Sequence, residues 1–131
     1  MRTKKNRAIG QWGEEIAADF LERKGYSVLS RNVFTAGGEI DIVAFLENEA
    51  DSYLVFVEVK TRTNNDFGYP EEAFDRKKYN HLLSSIEEYL DSNPGLPGEW
   101  RIDVIAVVGS PGRGKPQICH FEGIVMPDER E

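Results

Sequence analysis

The sequence predicts one α/β domain, a small mixed β-sheet flanked by helices. Three observations carry this prediction. Two segments repeat apolar residues at helical spacing, five runs are rich in β-forming residues, and no Ser/Gly linker or repeat divides the 131 residues. That length suits one domain, and the order helix, three strands, helix, two strands suits helices packed on a mixed sheet.

The first helix is expected over residues 8–24, where Ile9, Ile16, Ala17, Phe20 and Leu21 recur on one face and Gly25 supplies the stop. Tyr26–Arg31, Glu39–Leu46 and Tyr53–Thr61 then read as strands, separated by Gly37-Gly38 and by the polar stretch from Glu47 to Ser52. A loop containing Asn64, Asn65 and Gly68 leads to a second amphipathic helix. It carries Tyr79, Leu82, Leu83, Ile86 and Leu90 and begins between Pro70 and Arg76. The punctuation SNPGLPG ends it. Trp100–Val108 is the fourth strand, and a weaker fifth lies near Gln117–Phe121.

The 16 Lys and Arg against 23 Asp and Glu leave a formal charge of −7, which argues against a general nucleic-acid coat and confines any polyanion to a local site. Residues 1–7 hold Arg2, Lys4, Lys5 and Arg7 with no acid, and are expected to be a basic flexible tail; 127–131 form a second tail. Only Ala8 and Ile9 precede Gly10, so the apolar middle of a secretory signal is missing, and no apolar run approaches the ~18 residues of a membrane span. A single cysteine, Cys119, excludes a disulfide framework within the chain. The cytoplasm is the expected compartment.

Charges stand where a core should be. Tyr53–Thr61 reads as a central strand buried on both faces, yet it carries Glu58 and Lys60 on one face. The preceding strand carries Asp41 in the apolar run Glu39–Leu46, on the face of Val43 and Phe45. If Glu47 faces Ser52 across a hairpin, Asp41 falls opposite Glu58 and Glu39 opposite Lys60. Opposed like charges destabilise a hairpin unless one is protonated or a cation lies between them. A hard divalent ion with oxygen ligands, Mg²⁺ first and Mn²⁺ as a substitute, resolves the conflict at Asp41 and Glu58. On the first helix Glu14 falls at the edge of the apolar arc, whereas Glu15, Asp19 and Glu22 fall away from it, so Glu14 can look toward the sheet. The plainer alternative is a set of cross-strand ion pairs, Glu58 with Lys60 or Lys60 with Glu39, and for Glu14 a helix-dipole role.

An acid early in one strand, Glu58-Val59-Lys60 in the next and a helix bearing Glu14 are similar to the PD-(D/E)xK nuclease core, although Ile40 stands where the nominal proline would be. Over nearly the whole chain, WGEEIAADFLERKGY, LSRN, GGEIDIVA, LVFVEVKTR, GYPEEAF and RIDVIAVV resemble the bacterial YraN family, uncharacterised protein family 0102. The resemblance implies a restriction-endonuclease-like fold related to archaeal Holliday-junction resolvases. It implies that Asp41 and Glu58 bind metal, that Lys60 orients the attacking water or stabilises developing charge, that Glu14 assists, and that a homodimer forms.

Other signals compete. Gly109–Lys115 matches GxxxxGK, but Pro116 replaces the metal-binding Ser or Thr, so a flexible turn without a nucleotide is expected, with Arg113 and Lys115 free to meet a phosphate backbone. His81, His120 and Cys119 lack metal-ligand spacing, and Asp103 shares a face with Arg101 as an expected ion pair. Arg62, Lys77 and Lys78 are the candidate nucleic-acid contacts. The expected function is Mg²⁺-dependent hydrolysis of DNA phosphodiester bonds, with branched or flapped DNA as candidate substrates. The rivals are a non-catalytic nucleic-acid- or protein-binding module keeping the fold, and a hydrolase of small phosphoesters.

Overall fold

The computed structural model describes residues 4–63 and 75–126, with side chains from Arg7 onward. Its elements are α1 (Lys4–Arg23), β1 (Ser27–Thr35), β2 (Gly38–Glu47), β3 (Ser52–Arg62), α2 (Arg76–Ser92), β4 (Trp100–Val108) and β5 (Gln117–Phe121). The five strands form one sheet in chain order. β1–β2, β2–β3 and β4–β5 are antiparallel, and β3–β4 is parallel, with α2 in the crossover between them. This mixed α/β architecture is consistent with a restriction-endonuclease-like fold. Among the described residues no helix is long and apolar enough to cross a membrane.

The helices cover opposite faces. Ala17, Ala18 and Leu21 of α1 pack on Ile42, Val55, Val57 and Ile105, whereas Tyr79, Leu82, Ile86 and Tyr89 of α2 pack on Val43, Leu54, Phe56 and Ile102. β3 is therefore buried on both faces, as its near-continuous apolar run requires.

The elements follow the sequence pattern with two extensions. α1 begins at Lys4, so Lys4–Arg7 continue the helix rather than form a tail; these polar residues give no apolar period to read. Gly25, at φ +99°, closes α1 in the left-handed conformation, and the Tyr26 N–H returns to Leu21 O at 2.9 Å. β1 runs on from Arg31 to Thr35 because pairing with β2 carries it past the polar Asn32. α2 starts where Asp75 caps it, accepting from the Lys78 N–H at 2.7 Å. Asn64, Asn65, Gly68 and the tail from 127 onward lie outside the described residues.

Asp103 is fully buried on the α1 side of β4 and accepts four hydrogen bonds. Two come from Arg101 (Nε 3.0 Å, Nη2 3.1 Å), one from His120 Nε2 (2.8 Å) and one from the Gly123 N–H (3.0 Å). The expected ion pair is thus present within a larger network that ties β4 to β5. Burial alone would raise the Asp103 carboxyl, but its donors, His120 first and then Arg101, hold it below the usual carboxylate range. Asp103→Ala leaves a nearly buried imidazole without its carboxylate acceptor and the Arg101 guanidinium with only Tyr26 Oη and Glu122 among the described residues. The expected cost is about 3 kcal/mol of unfolding free energy, measurable as a lower urea midpoint at unchanged m.

Candidate active site

The expected β2–β3 register is present, from Glu47 opposite Ser52 to Ile42 opposite Val57. There the ladder stops. β2 remains paired with β1 down to Gly38, while β3 continues beside β4 to Arg62, so the two central strands part at the level of Asp41 and Glu58. Asp41 spans the parting: its Oδ2 accepts from the Val59 N–H at 2.8 Å.

A second irregularity lies at the same level. Ile40 and Val43, an odd number of residues apart, both enter the core under α2, while Ile42 faces α1. The partner strand slips with it, because Val33 packs into the α2 core and Ser30 Oγ meets Tyr89 Oη at 3.4 Å. Between them Asn32 has φ 51°, a left-handed conformation that Asn tolerates. Asp41 was expected on the face of Val43 and Phe45; the alternation instead breaks at Asp41 itself.

The slip turns Glu39 toward α1. α1 lies so close to the end of β3 that a Cβ on Gly13 would collide with Thr61 Oγ1, and this approach brings the neighbouring Glu14, 6% exposed, over the parted strands. One carboxylate oxygen from each of Glu14, Glu39 and Asp41 lies within 4.8 Å of the others. Asn32 steadies two of them: in the amide orientation that satisfies its neighbours, Nδ2 donates to Glu39 Oε1 and Glu14 Oε2, each at 2.9 Å.

Glu58, buried, stands beside this group rather than within it. Its Oε1 is held by Lys78 Nζ at 2.7 Å and by Lys60 Nζ at 3.5 Å. Lys60 thus pairs along its own strand with Glu58. Burial and then the adjacent Lys78 ammonium pull Lys60 below the usual lysine range, against the opposing pull of Glu58. Asp41 moves the other way: burial first, then the Glu58, Glu14 and Glu39 carboxylates, push its pKa up to about 8 despite the Val59 hydrogen bond.

Two hollows meet at Asp41 and Glu58. One, of about 320 Å³, is lined by Glu14, Lys60, Arg62 and Lys78 on the α1 side; the other, of about 250 Å³, by Gly38, His81 and Ser85 on the α2 side. Neither is closed off from solvent. Of the expected phosphate contacts, Lys78 turns to Glu58, while Arg62 and Lys77 stay exposed at the same end of the sheet. Arg113 and Lys115 are exposed in the β4–β5 turn, which meets that end through the Gly109 N–H and Arg62 O at 2.8 Å.

Sequence reasoning took Glu39 only as an ion-pair partner of Lys60 and gave Asn32 no role. The acidic spacing of Glu39 and Asp41 was a signal for the first; nothing in the apolar pattern signals the second.

All these donors are carboxylate oxygens, the set that suits Mg²⁺ or Mn²⁺ rather than a soft metal. The raised Asp41 pKa agrees with the same fit, since burial and the neighbouring carboxylates disfavour its ionised form and a bound cation would favour it.

The family model for uncharacterised protein family UPF0102 matches residues 13–107, which span every site residue named above except the arginine and lysine of the β4–β5 turn. A UPF0102 protein of Syntrophomonas wolfei is 44% identical over 110 residues, 84% of this chain and 92% of its own length. One of Flavobacterium psychrophilum is 42% identical over 114 residues, covering 87% and 90%. One of Roseiflexus castenholzii is 45% identical over 101 residues, covering 76% and 77%.

Proposed function

We infer that this chain, which belongs to the uncharacterised protein family UPF0102, is a metal-dependent nuclease that hydrolyses DNA phosphodiester bonds. The observation that carries the reading is the meeting of Glu14, Glu39 and Asp41 within 4.8 Å at the parted strand ends, with Glu58 and Lys60 alongside. A purely structural site has no use for four carboxylates gathered so that burial and mutual repulsion raise the pKa of one of them.

Asp41 would hold the ion, with Glu58 and the Glu14 and Glu39 carboxylates as further oxygen donors. A bound Mg²⁺ or Mn²⁺ supplies polarisation of a phosphoryl oxygen and a more acidic water. The chain's own groups do the rest. Asn32 keeps the Glu14 and Glu39 carboxylates together, and Lys78 holds the Glu58 carboxylate in place. Lys60, on the face of Glu58, is placed to orient a water or to stabilise charge developing on a phosphate. Arg62, Lys77, Arg113 and Lys115 would grip neighbouring phosphates around a site open enough for a polymer. Branched or flapped DNA is the substrate class that the resemblance to junction-cleaving enzymes favours.

The test is incubation of end-labelled single-stranded, duplex and branched DNA with the wild-type protein in Mg²⁺ or Mn²⁺. Cleavage that stops on chelation is expected. No cleavage of any substrate, or cleavage that survives chelation, removes the reading.

A further inference from the structure

Phe34 is 77% exposed, the most exposed large apolar side chain among the described residues. A single exposed aromatic ring needs no explanation in general. Its position gives this one a use. Val33 turns into the core under α2, so Phe34 turns to the opposite face, the one over which α1 brings Glu14. Across the β1–β2 ladder Phe34 is paired with Glu39, one of the three carboxylates that meet. Paired residues on one face have their Cβ atoms ~4.5–5.5 Å apart, so the ring stands at the rim of the acidic group.

The backbone that carries the ring is also held firmly. The hairpin tip beside it is tied to α2 by Thr35 Oγ1 donating to Ser85 Oγ at 2.7 Å and by the Ala36 N–H donating to Glu88 Oε2 at 2.9 Å. Gly37 lies against Ser84 and the α2 backbone, where a Cβ would meet atoms 3.0–3.3 Å away. An exposed aromatic side chain on a fixed backbone, at the rim of the proposed phosphate site, offers a stacking platform with no backbone left to order on binding. Bases within a duplex are already stacked, so such a platform acts on an unpaired base.

We propose that Phe34 stacks on an unpaired nucleobase next to the phosphodiester held at the carboxylates, and so selects nucleic acid with an unpaired nucleotide at the cleavage point. The proposal rests on the nuclease reading for the position of that phosphodiester, and its main readout does not require cleavage.

The probe is a DNA duplex with one unpaired 2-aminopurine, whose fluorescence falls when the base stacks, mixed with the full-length protein in Ca²⁺ in place of Mg²⁺. Wild type is expected to quench it, Phe34→Ala to lose the quench, and Phe34→Trp to restore it. In Mg²⁺, the ratio of kcat/KM for the unpaired substrate over the fully paired one should fall about 5- to 150-fold in Phe34→Ala, the range for one lost base–aromatic stack. No quench by wild type, or a quench that persists in Phe34→Ala, overturns the proposal. A wild-type dimer that dissociates in Phe34→Ala without any quench assigns the ring to a second copy of the chain and overturns it too. Cleavage equal in wild type and Phe34→Ala for both substrates sinks the stacking role alone, whereas quenching without any cleavage sinks the nuclease reading alone.

Discussion

Asp41→Ala is expected to lower Mg²⁺-dependent DNA cleavage by at least about a hundredfold. Metal-borne charge stabilisation is worth several kcal/mol, and each 1.36 kcal/mol is tenfold in rate. Asp41 belongs to the group of three carboxylates and also adjoins Glu58, so no other acid can replace it. The alanine variant also frees the Val59 N–H at the parted strands, and could lose activity through that change alone. Asp41→Asn separates the two effects, because its amide oxygen still accepts the Val59 bond while the charge is gone. Both variants should be equally inactive, with Asp41→Asn retaining the wild-type melting profile at pH 6. An Asp41→Asn enzyme within a few-fold of wild type would show that the bond, not the charge, matters.

The second large effect is on pH. With a pKa pushed up to about 8 from an ordinary 3.8, Asp41 is protonated in the metal-free fold at pH values where it is ionised in the unfolded chain. The folded state then binds more protons across this window. Stability from this group is complete below about pH 4 and is lost as pH rises toward 8, by at most about 1.4 kcal/mol per pH unit. Urea unfolding in chelator from pH 5 to pH 9 should show wild type losing stability relative to Asp41→Asn as pH rises, with the two curves running parallel above about pH 8.5. Because a metal ligand must be deprotonated, Mg²⁺ affinity should climb up to about tenfold per pH unit and level off near pH 8. Calorimetry in buffers of different ionisation enthalpy should then report about one proton released per ion bound at pH 6.5 and close to none at pH 9. A pH-independent affinity would contradict the raised carboxyl.

Much of this site is legible in the chain. The four-residue turn between Glu47 and Ser52 sets the β2–β3 register, and with it the level of Asp41 and Glu58. The helical period of α1 picks out Glu14 among its acids, and Glu14 is the one buried. The misfit of Glu58 and Lys60 in an apolar strand marks where the apolar core ends and the charged cluster begins. What escapes the sequence is the slip at Asn32 and Asp41. A two-residue period is a rule about regular strands, and one left-handed residue breaks it without altering the composition of either run. That slip brings Glu39 into the acidic group and turns Phe34 to its rim. Lys78 escapes for a different reason. Its meeting with Glu58 depends on how α2 docks across the sheet, a long-range contact with no local signature.

The central claim is that the parted ends of β2 and β3 hold a divalent ion. Electron paramagnetic resonance of free Mn²⁺, titrated with protein at pH 8, measures this directly. Wild type is expected to take up Mn²⁺ stoichiometrically with its folded concentration, Asp51→Ala, which removes an exposed acid of the β2–β3 turn, to do the same, and Asp41→Ala to lose that uptake. Uptake unchanged in Asp41→Ala, or none in wild type, would contradict the account.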